Sequence, residues 1–138
     1  MNAATIPTTL VDEIKVPIQD TLRLQTMDGP QEARNKGLDD APDRQVVVIE
    51  EGDEAIAVAT AGELRSEILP RSWSAPLGRW LAYLPPLPET TAQTRAAELT
   101  FLVQANRRIK WLAVRDEESG ELTGVVRATQ VRSYLPPA

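Results

Sequence analysis

The sequence predicts an α/β (α+β) fold of two tandem β-α-β-β-α repeats, and three observations carry this prediction. The segment Gln45–Arg65 reads as a β-branched strand, an acidic turn, a return strand and a helix. The same order of elements recurs over Trp111–Arg132. An offset of 67 residues sets Thr60 on Arg127 and aligns three further pairs: Val58 with Val125, Leu64 with Val131, and Arg65 with Arg132.

Each predicted hairpin has two short apolar strands around a charged turn that contains a glycine, and each leads directly into a helix. The first consists of Val46–Ile49, Glu50–Glu54 and Ile56–Val58, followed by the helix Glu63–Leu69. The second consists of Trp111–Val114, Asp116–Glu121 and Leu122–Val126, followed by the helix Ala128–Tyr134. In the first copy Thr60 stands three residues before Glu63, which is the spacing of a capping box at a helix start.

The repeats are expected to divide the chain near its middle. Residues 1–9 are read as an N-terminal arm, residues 10–70 as the first repeat and residues 71–138 as the second, the two repeats forming one compact module. The first repeat begins with a helical turn over Leu10–Ile14, which Pro17 ends because proline cannot continue a helix.

A strand and a helix lie between this turn and the first hairpin. Apolar and polar residues alternate over Thr21–Thr26, which predicts a strand that turns Leu22 and Leu24 inward. Asp28–Pro30 suits a helix start, because Asp caps free N–H groups and Pro is tolerated in the first turn. The helix then covers Gln31–Leu38, and its apolar residues to bury are Ala33 and Leu38.

The connector Arg71–Pro88 is rich in proline and aromatic residues. Within it, Leu77–Leu81 lies 67 residues after Leu10–Ile14, so we expect it to repeat the N-terminal helical turn. Its aromatic side chains are those of Trp73, Trp80 and Tyr83. They are either buried between the repeats or form an exposed apolar patch that a partner covers.

The clearest helical pattern in the chain covers Thr90–Asn106. Thr90 or Thr91 is the predicted N-cap, and Arg107 and Arg108 suit the C-terminal end, where cations are favoured. An apolar stripe follows the helical period and consists of Ala92, Ala96, Leu99, Leu102 and Val103.

Composition argues against an enzyme. Cysteine and histidine are both absent, so the chain has no thiolate nucleophile and lacks the commonest general base and metal ligand. It contains no glycine-rich phosphate loop and no GxSxG nucleophile elbow. The acidic turns Glu50–Glu54 and Asp116–Glu118 do not have the spacing of an EF-hand loop, so we read them as solvated hairpin tips and predict no metal site.

The charge distribution bears on partners and location. The net charge of −5 argues against nucleic-acid and anionic-membrane binding. Residues 1–70 carry 6 basic and 14 acidic side chains and residues 71–138 carry 9 and 6, which reflects either solvated faces or attraction between complementary halves. No apolar run reaches the roughly 18 residues of a membrane span, and the N-terminus does not read as a signal peptide. We therefore expect a cytoplasmic protein.

The repeated hairpin and helix start resemble a cystathionine-β-synthase (CBS) domain pair, also called a Bateman module. The motif of that family is roughly G-h-h-T-x-x-D, where h is apolar. The first copy here is Ala57–Glu63, AVATAGE, and the second is Gly124–Gln130, GVVRATQ. The resemblance covers Leu10 to Leu135 and implies two repeats related by a pseudo-twofold axis.

The resemblance also implies four ligand-binding residues. In the family the Thr or Ser of the motif helps to hold a nucleotide phosphate, and the Asp accepts hydrogen bonds from the ribose. The first copy keeps Thr60 but has Glu63 for the Asp, and the second has Arg127 and Gln130 at these positions. Arg127 suits a phosphate directly, and Gln130 retains one acceptor for a ribose. A capping box at Thr60 and a surface ion pair at Arg127 are the structural alternatives.

These likenesses imply a non-catalytic regulatory protein that senses or binds an adenosine-type nucleotide (AMP, ADP or ATP) in clefts between the repeats. It would modulate a protein partner through the face that carries Trp73, Trp80 and Tyr83. The resemblance further implies a homodimer formed through helical faces, for which the stripe of Thr90–Asn106 is the candidate surface. No other cofactor is expected. The alternative is a CBS-like scaffold that has lost its ligand and serves as a protein-interaction or assembly subunit.

Overall fold

The computed structural model describes residues 8–68 and 85–134, which form two compact units. One unit comprises Gln19–Pro85, and the other comprises the residues up to Ile18 together with those from Pro86 onward. The predicted helical turn is confirmed as α1 (Val11–Ile14), and the strand β1 (Val16–Pro17) follows it. The units do not coincide with the predicted repeats, whose boundaries remain a prediction.

The unit Gln19–Pro85 contains a three-stranded sheet in the order β2-β3-β4. Its strands are β2 (Leu22–Gln25), β3 (Val46–Glu51) and β4 (Glu54–Thr60). Strand β2 is parallel to β3, and β3 is antiparallel to β4. A parallel pair needs a crossover, which contains α2 (Pro30–Ala33) and the wider helical turn Arg34–Leu38 that continues it.

The core of this unit lies between one face of the sheet and its helices. Helix α3 (Ala61–Glu63) follows β4 at once and continues as a wider turn over Leu64–Ile68. The predicted burial is confirmed for Leu24 on β2 and for Ala33 and Leu38 on the crossover. The other buried members of the cluster are Val47, Ile49, Ala57, Ala59, Ala61 and Leu64.

The second unit contains a four-stranded sheet in the order β1-β7-β6-β5. The strands from its C-terminal part are β5 (Glu89–Thr91), β6 (Trp111–Arg115) and β7 (Leu122–Arg127). Its helices are the 3₁₀ turn Ala96–Leu99, α4 (Thr100–Ala105) and α5 (Ala128–Arg132). Strand β5 is parallel to β6, and β7 is antiparallel to both β6 and β1. Within the described part of the chain, no helix has the length and apolarity to span a membrane.

The predicted helix over Thr90–Asn106 is wrong in its first part. Thr90 and Thr91 belong to β5 and pair with Val114 and Arg115, because β-branched residues suit a strand and β6 offers a free edge. The apolar stripe has helical spacing without being one helix, because several of its residues pack into the same core from different elements. Ala92 and Val103 belong to that core, Leu99 packs against it, and Leu102 is exposed. Most of the stripe is therefore not a free dimerisation surface.

The two hairpins confirm the repeat that the sequence predicts. Val46 pairs with Thr60 at the end of the first ladder, and Trp111 pairs with Arg127 at the end of the second. Both ladders have a register shift at equivalent places, after Ile49 and after Val114. The second hairpin is longer than the first, and its extra residues all lie beyond the register shift, in the segment that contains the turn.

The helix after each hairpin is attached in the same way. The amide of Ala61 donates to the carbonyl of Gln45 at 2.8 Å, and the amide of Ala128 donates to the carbonyl of Lys110 at 2.9 Å. Gln45 and Lys110 therefore occupy equivalent places, just before the first strand of each hairpin. The residues that precede the two hairpins can therefore be aligned by setting Gln45 on Lys110.

A cross-strand ion pair occurs at the same place in both repeats, with its charges exchanged. In the first, Arg23 on β2 donates to the Glu50 carboxylate on β3 with two nitrogens, at 2.5 and 2.8 Å. In the second, Arg115 on β6 pairs with Glu89 on β5. The Glu50 side chain is 2% exposed, and its hydrogen bonds raise the pKa of Arg23 above its usual value.

Candidate functional site

The start of α3 holds the first pair of predicted ligand residues. The Thr60 backbone amide and hydroxyl both donate to the Glu63 carboxylate, at 3.0 and 2.9 Å. In return the Glu63 amide donates to the Thr60 hydroxyl at 3.3 Å. The structure thus brings Thr60 and Glu63 together as a reciprocal capping box, which is the structural alternative that the spacing also allowed. The hydroxyl proton is used within the box.

A shallow cavity of about 530 Å³ lies beside this helix start. Thr60 and Glu63 line it together with Asp43, Arg65 and neighbouring small residues. Arg65 donates to the Asp43 carboxylate at 2.5 Å, so its charge is already matched. An incoming phosphate would meet the carboxylate of Glu63 without an unpaired cation among these residues. This electrostatic balance disfavours an anion.

Loss of the capping box should be measurable as a change in stability. Thr60→Ala is expected to lower the free energy of unfolding by about 1 kcal/mol, because the Glu63 amide and the helix start lose their side-chain acceptor. Urea denaturation followed by circular dichroism measures the change. Thr129→Ala on α5 is the control, since Thr129 is exposed and lies inside its helix. Equal losses in the two variants would contradict a role for the box.

The start of α5 is built differently. Arg127 is the N-cap residue but makes no capping hydrogen bond with its side chain. Its guanidinium carbon lies 4.5 Å from the centre of the Trp111 ring, the residue opposite it in the ladder, so the two form a cation–π contact. Arg127 and Gln130 are both exposed, and neither side chain makes a hydrogen bond or an ion pair within residues 8–68 and 85–134.

Several site residues were missed by the sequence reasoning. Asp43 and Arg65 flank the first helix start, and Trp111 supports Arg127 at the second. The repeat alignment marked Arg65 as recurrent, and the ladder register would have placed Trp111 opposite Arg127. Three predicted partner-binding residues lie outside the described residues: Trp73, Trp80 and Tyr83. The predicted turn Leu77–Leu81 also lies outside them.

The acidic tip of the second hairpin is held by local hydrogen bonds. The Asp116 carboxylate accepts from the backbone amides of Ser119, at 2.9 Å, and Glu118, at 3.1 Å. These hydrogen bonds, that of Ser119 foremost, lower the pKa of Asp116 below its usual value. Where the structure describes the chain, no three acidic side chains are grouped as metal ligands would be.

Comparison with solved structures places this arrangement among known folds. The CBS domain of a bacterial CNNM/CorC family Mg²⁺ transporter is 18% identical, with a TM-score of 0.66 over 96% of this chain and 78% of that one. The fold is that of CBS domains. The ATP complex of such a CBS domain matches at a TM-score of 0.63 and 18% identity, over 92% of this chain and 89% of the other. A CBS-domain pair with bound AMP from Klebsiella pneumoniae matches at 0.56 and 18%, over 91% and 96%.

The comparison with solved structures confirms the resemblance to CBS domains that the motifs predict, at the level of the fold. No protein-family model matches the chain, and no curated protein matches it either. The departures fall at the positions that the CBS motif uses: Glu63 replaces an Asp, and Arg127 and Gln130 replace Thr and Asp. The CBS fold thus presents two unlike helix starts, one closed by its own side chains and one carrying an exposed cation.

Proposed function

We propose that this chain is a non-catalytic, regulatory CBS-domain pair that binds an adenosine nucleotide at the start of α5. The observation that carries the proposal is the exposed pair of polar side chains there, Arg127 and Gln130, which make no hydrogen bond or ion pair with the described residues and lie beside the first turn of a helix. The CBS domains of similar fold that are described with ATP and with AMP support the choice of an adenosine nucleotide.

The chemistry of the α5 start suits a phosphate better than that of the α3 start. Arg127 offers a planar fork of donors to phosphate oxygens, and its stacking on Trp111 limits the entropy lost on binding. The Gln130 carbonyl can accept a hydrogen bond from a ribose hydroxyl. Thr60 and Glu63 remain in the proposal as a weaker second site, since a ligand there must first open a capping box worth about 1 kcal/mol.

Nucleotide binding should appear as thermal stabilisation. AMP, ADP, ATP, S-adenosylmethionine and cyclic dinucleotides are titrated against the purified chain in a thermal-shift assay. A ligand at a hundred times its Kd adds about 2.7 kcal/mol to stability, so we expect the Tm to rise with concentration for an adenosine nucleotide. Arg127→Ala should weaken its binding at least tenfold, because the phosphate loses its fork of donors.

The matched control for this variant is Arg108→Ala. Arg108 is also exposed and its removal changes the net charge equally, but it lies before β6 and not at the helix start. The proposal fails if no ligand raises the Tm of the wild-type chain, or if the two variants weaken binding equally. The second outcome would mean that diffuse positive charge, and not a site at Arg127, attracts the nucleotide.

A second candidate function is favoured by the closed Thr60–Glu63 box. A CBS-fold scaffold that has lost its ligand would keep the helix start for stability alone and would act as an interaction or assembly subunit. The titration separates the two candidates, since the scaffold gives an unchanged Tm with every nucleotide.

Nucleotide binding would regulate the chain by a population shift, in which the nucleotide favours one conformation of the chain over another. A protein partner and a homodimer remain part of the proposal. The apolar side chains that α4 leaves in solvent support a helical contact: Phe101 is 78% exposed and Leu102 is 40% exposed. The proposed partner face is still that of Trp73, Trp80 and Tyr83, and a cytoplasmic location completes the proposal.

A further inference from the structure

Arg65 and Arg132 are equivalent in the repeat, but within residues 8–68 and 85–134 Arg65 has more partners than Arg132. Arg65 donates to the carbonyls of Leu38 and Ala41, both at 2.6 Å, and to the Asp43 carboxylate at 2.5 Å. It therefore ties the end of the crossover helix to the helix after the hairpin. Its charge is neutralised within the fold.

Arg132 retains only part of this arrangement. It donates to the carbonyl of Val103 on α4 at 3.0 Å, which corresponds to the bond from Arg65 to Leu38. The residue two places before Gln45 is Asp43, whereas the residue two places before the equivalent Lys110 is Arg108. The carboxylate that neutralises Arg65 is thus replaced by a further cation.

A cavity of about 520 Å³ opens beside Arg132, and it is lined by Gln104, Arg107 and Arg132. Among the residues that the structure describes, no carboxylate forms a salt bridge with Arg107 or Arg132. The described residues that line the cavity are therefore two arginines, neither of which has a carboxylate partner among the described residues, and one glutamine. Asp43 shows which group satisfies such an arginine in the other repeat: an oxyanion.

We propose that this cavity binds the phosphate group of a small molecule. Two guanidinium charges match a phosphate that carries nearly two negative charges at neutral pH better than a monocarboxylate. Gln104 can donate to a third oxygen. The C-terminal carbonyls of α4 oppose an anion, but this helix is short and Arg132 already covers one of these carbonyls. Among the described residues that line the cavity, none belongs to the nucleotide site proposed at Arg127.

The test is isothermal titration of the full chain with pyrophosphate at low ionic strength, with orthophosphate and acetate as parallel titrants. We expect pyrophosphate to bind at one site per chain, orthophosphate more weakly, and acetate not at all. Arg107→Gln should weaken pyrophosphate binding at least tenfold, because one of the two charges is lost and Arg107 is exposed enough for the fold to survive. Arg107→Lys keeps the charge but loses the planar set of guanidinium donors. Its affinity for pyrophosphate should therefore lie between those of the wild-type chain and Arg107→Gln.

Two control variants test whether binding occurs in this cavity. Arg95→Gln removes an exposed charge from the same unit at a residue that does not line the cavity, and we expect less than a twofold change in pyrophosphate affinity. Arg127→Ala should leave pyrophosphate binding unchanged, so failure of the nucleotide proposal does not decide this one. The proposal is overturned if pyrophosphate gives no binding heat, if Arg95→Gln weakens binding as much as Arg107→Gln, or if Arg127→Ala abolishes it.

Discussion

Arg23→Ala is expected to lower the free energy of unfolding by about 3 kcal/mol. The substitution leaves the Glu50 carboxylate, whose side chain is 2% exposed, without the two hydrogen bonds that neutralise it. Breaking a buried pair from one side costs about 3–5 kcal/mol. We take the lower end because Arg23 is itself 51% exposed, so water can reach part of the vacated space. Urea denaturation measures the loss.

The second repeat supplies a control at the equivalent position. Glu89→Ala breaks the equivalent pair with Arg115, but Glu89 is 46% exposed and Arg115 keeps the carbonyl of Gly120 as an acceptor. Exposed pairs contribute about 0–1 kcal/mol, so the control should lose no more than that. If Glu89→Ala costs as much as Arg23→Ala, burial of Glu50 is not the cause. Arg23→Ala combined with Glu50→Leu should recover most of the loss, since no buried charge then remains.

Gly124→Ala is expected to cost about 2 kcal/mol and to detach β1. A Cβ atom on Gly124 would overlap with the carbonyl oxygen of Val16 and would lie 2.9 Å from the Lys15 Cδ atom. Inserting one carbon into a packed site costs about 1–3 kcal/mol. Strand β1 has two residues and lies at the edge of its sheet, so we expect it to move before β7 does. Hydrogen exchange should therefore accelerate in β1 more than in β6.

Ala57→Gly gives the matched comparison, because Ala57 is the counterpart of Gly124 in the repeat. Among the described residues, no further strand pairs with β4 on the side away from β3. Glycine in a strand costs about 0.5–1 kcal/mol relative to alanine, and Ala57→Gly should show a loss of that order. If Gly124→Ala instead stabilises the chain by a similar amount, the close approach of β1 has no energetic weight.

Local features of the fold could be predicted from sequence, and pairings between distant residues could not. The β-branched run from Val46, the glycine in the turn and the cap at Thr60 act over a few residues, and the structure confirms all three. The error at Thr90 arose because periodicity does not distinguish a helix from several elements that bury residues in one core. Pairing of β1 with β7 spans most of the chain, so no local pattern signals it.

The positions of the two helix starts were predictable from sequence, but the hydrogen bonding of their side chains was not. The alignment of Thr60 with Arg127 correctly identifies two helix starts that follow equivalent hairpins. It cannot tell whether a polar side chain is free, because that depends on neighbours such as Trp111 and Asp43, which come from other elements. The aligned motif positions therefore differ in the structure. Thr60 and Glu63 bond to each other, whereas Arg127 and Gln130 are exposed.

The exchanged charges of the two cross-strand pairs have a consequence for how the chain folds. The repeats are alike enough that β2 could pair wrongly with β6, or β5 with β3. The first error would set Arg23 against Arg115, and the second would set Glu89 against Glu50. Like charges on facing strands repel, so each wrong strand pairing is destabilised by the two like charges that it brings together. In each correct pairing the two charges are opposite and cancel. The opposite polarity thus lets each half of a duplicated chain recognise its own strand.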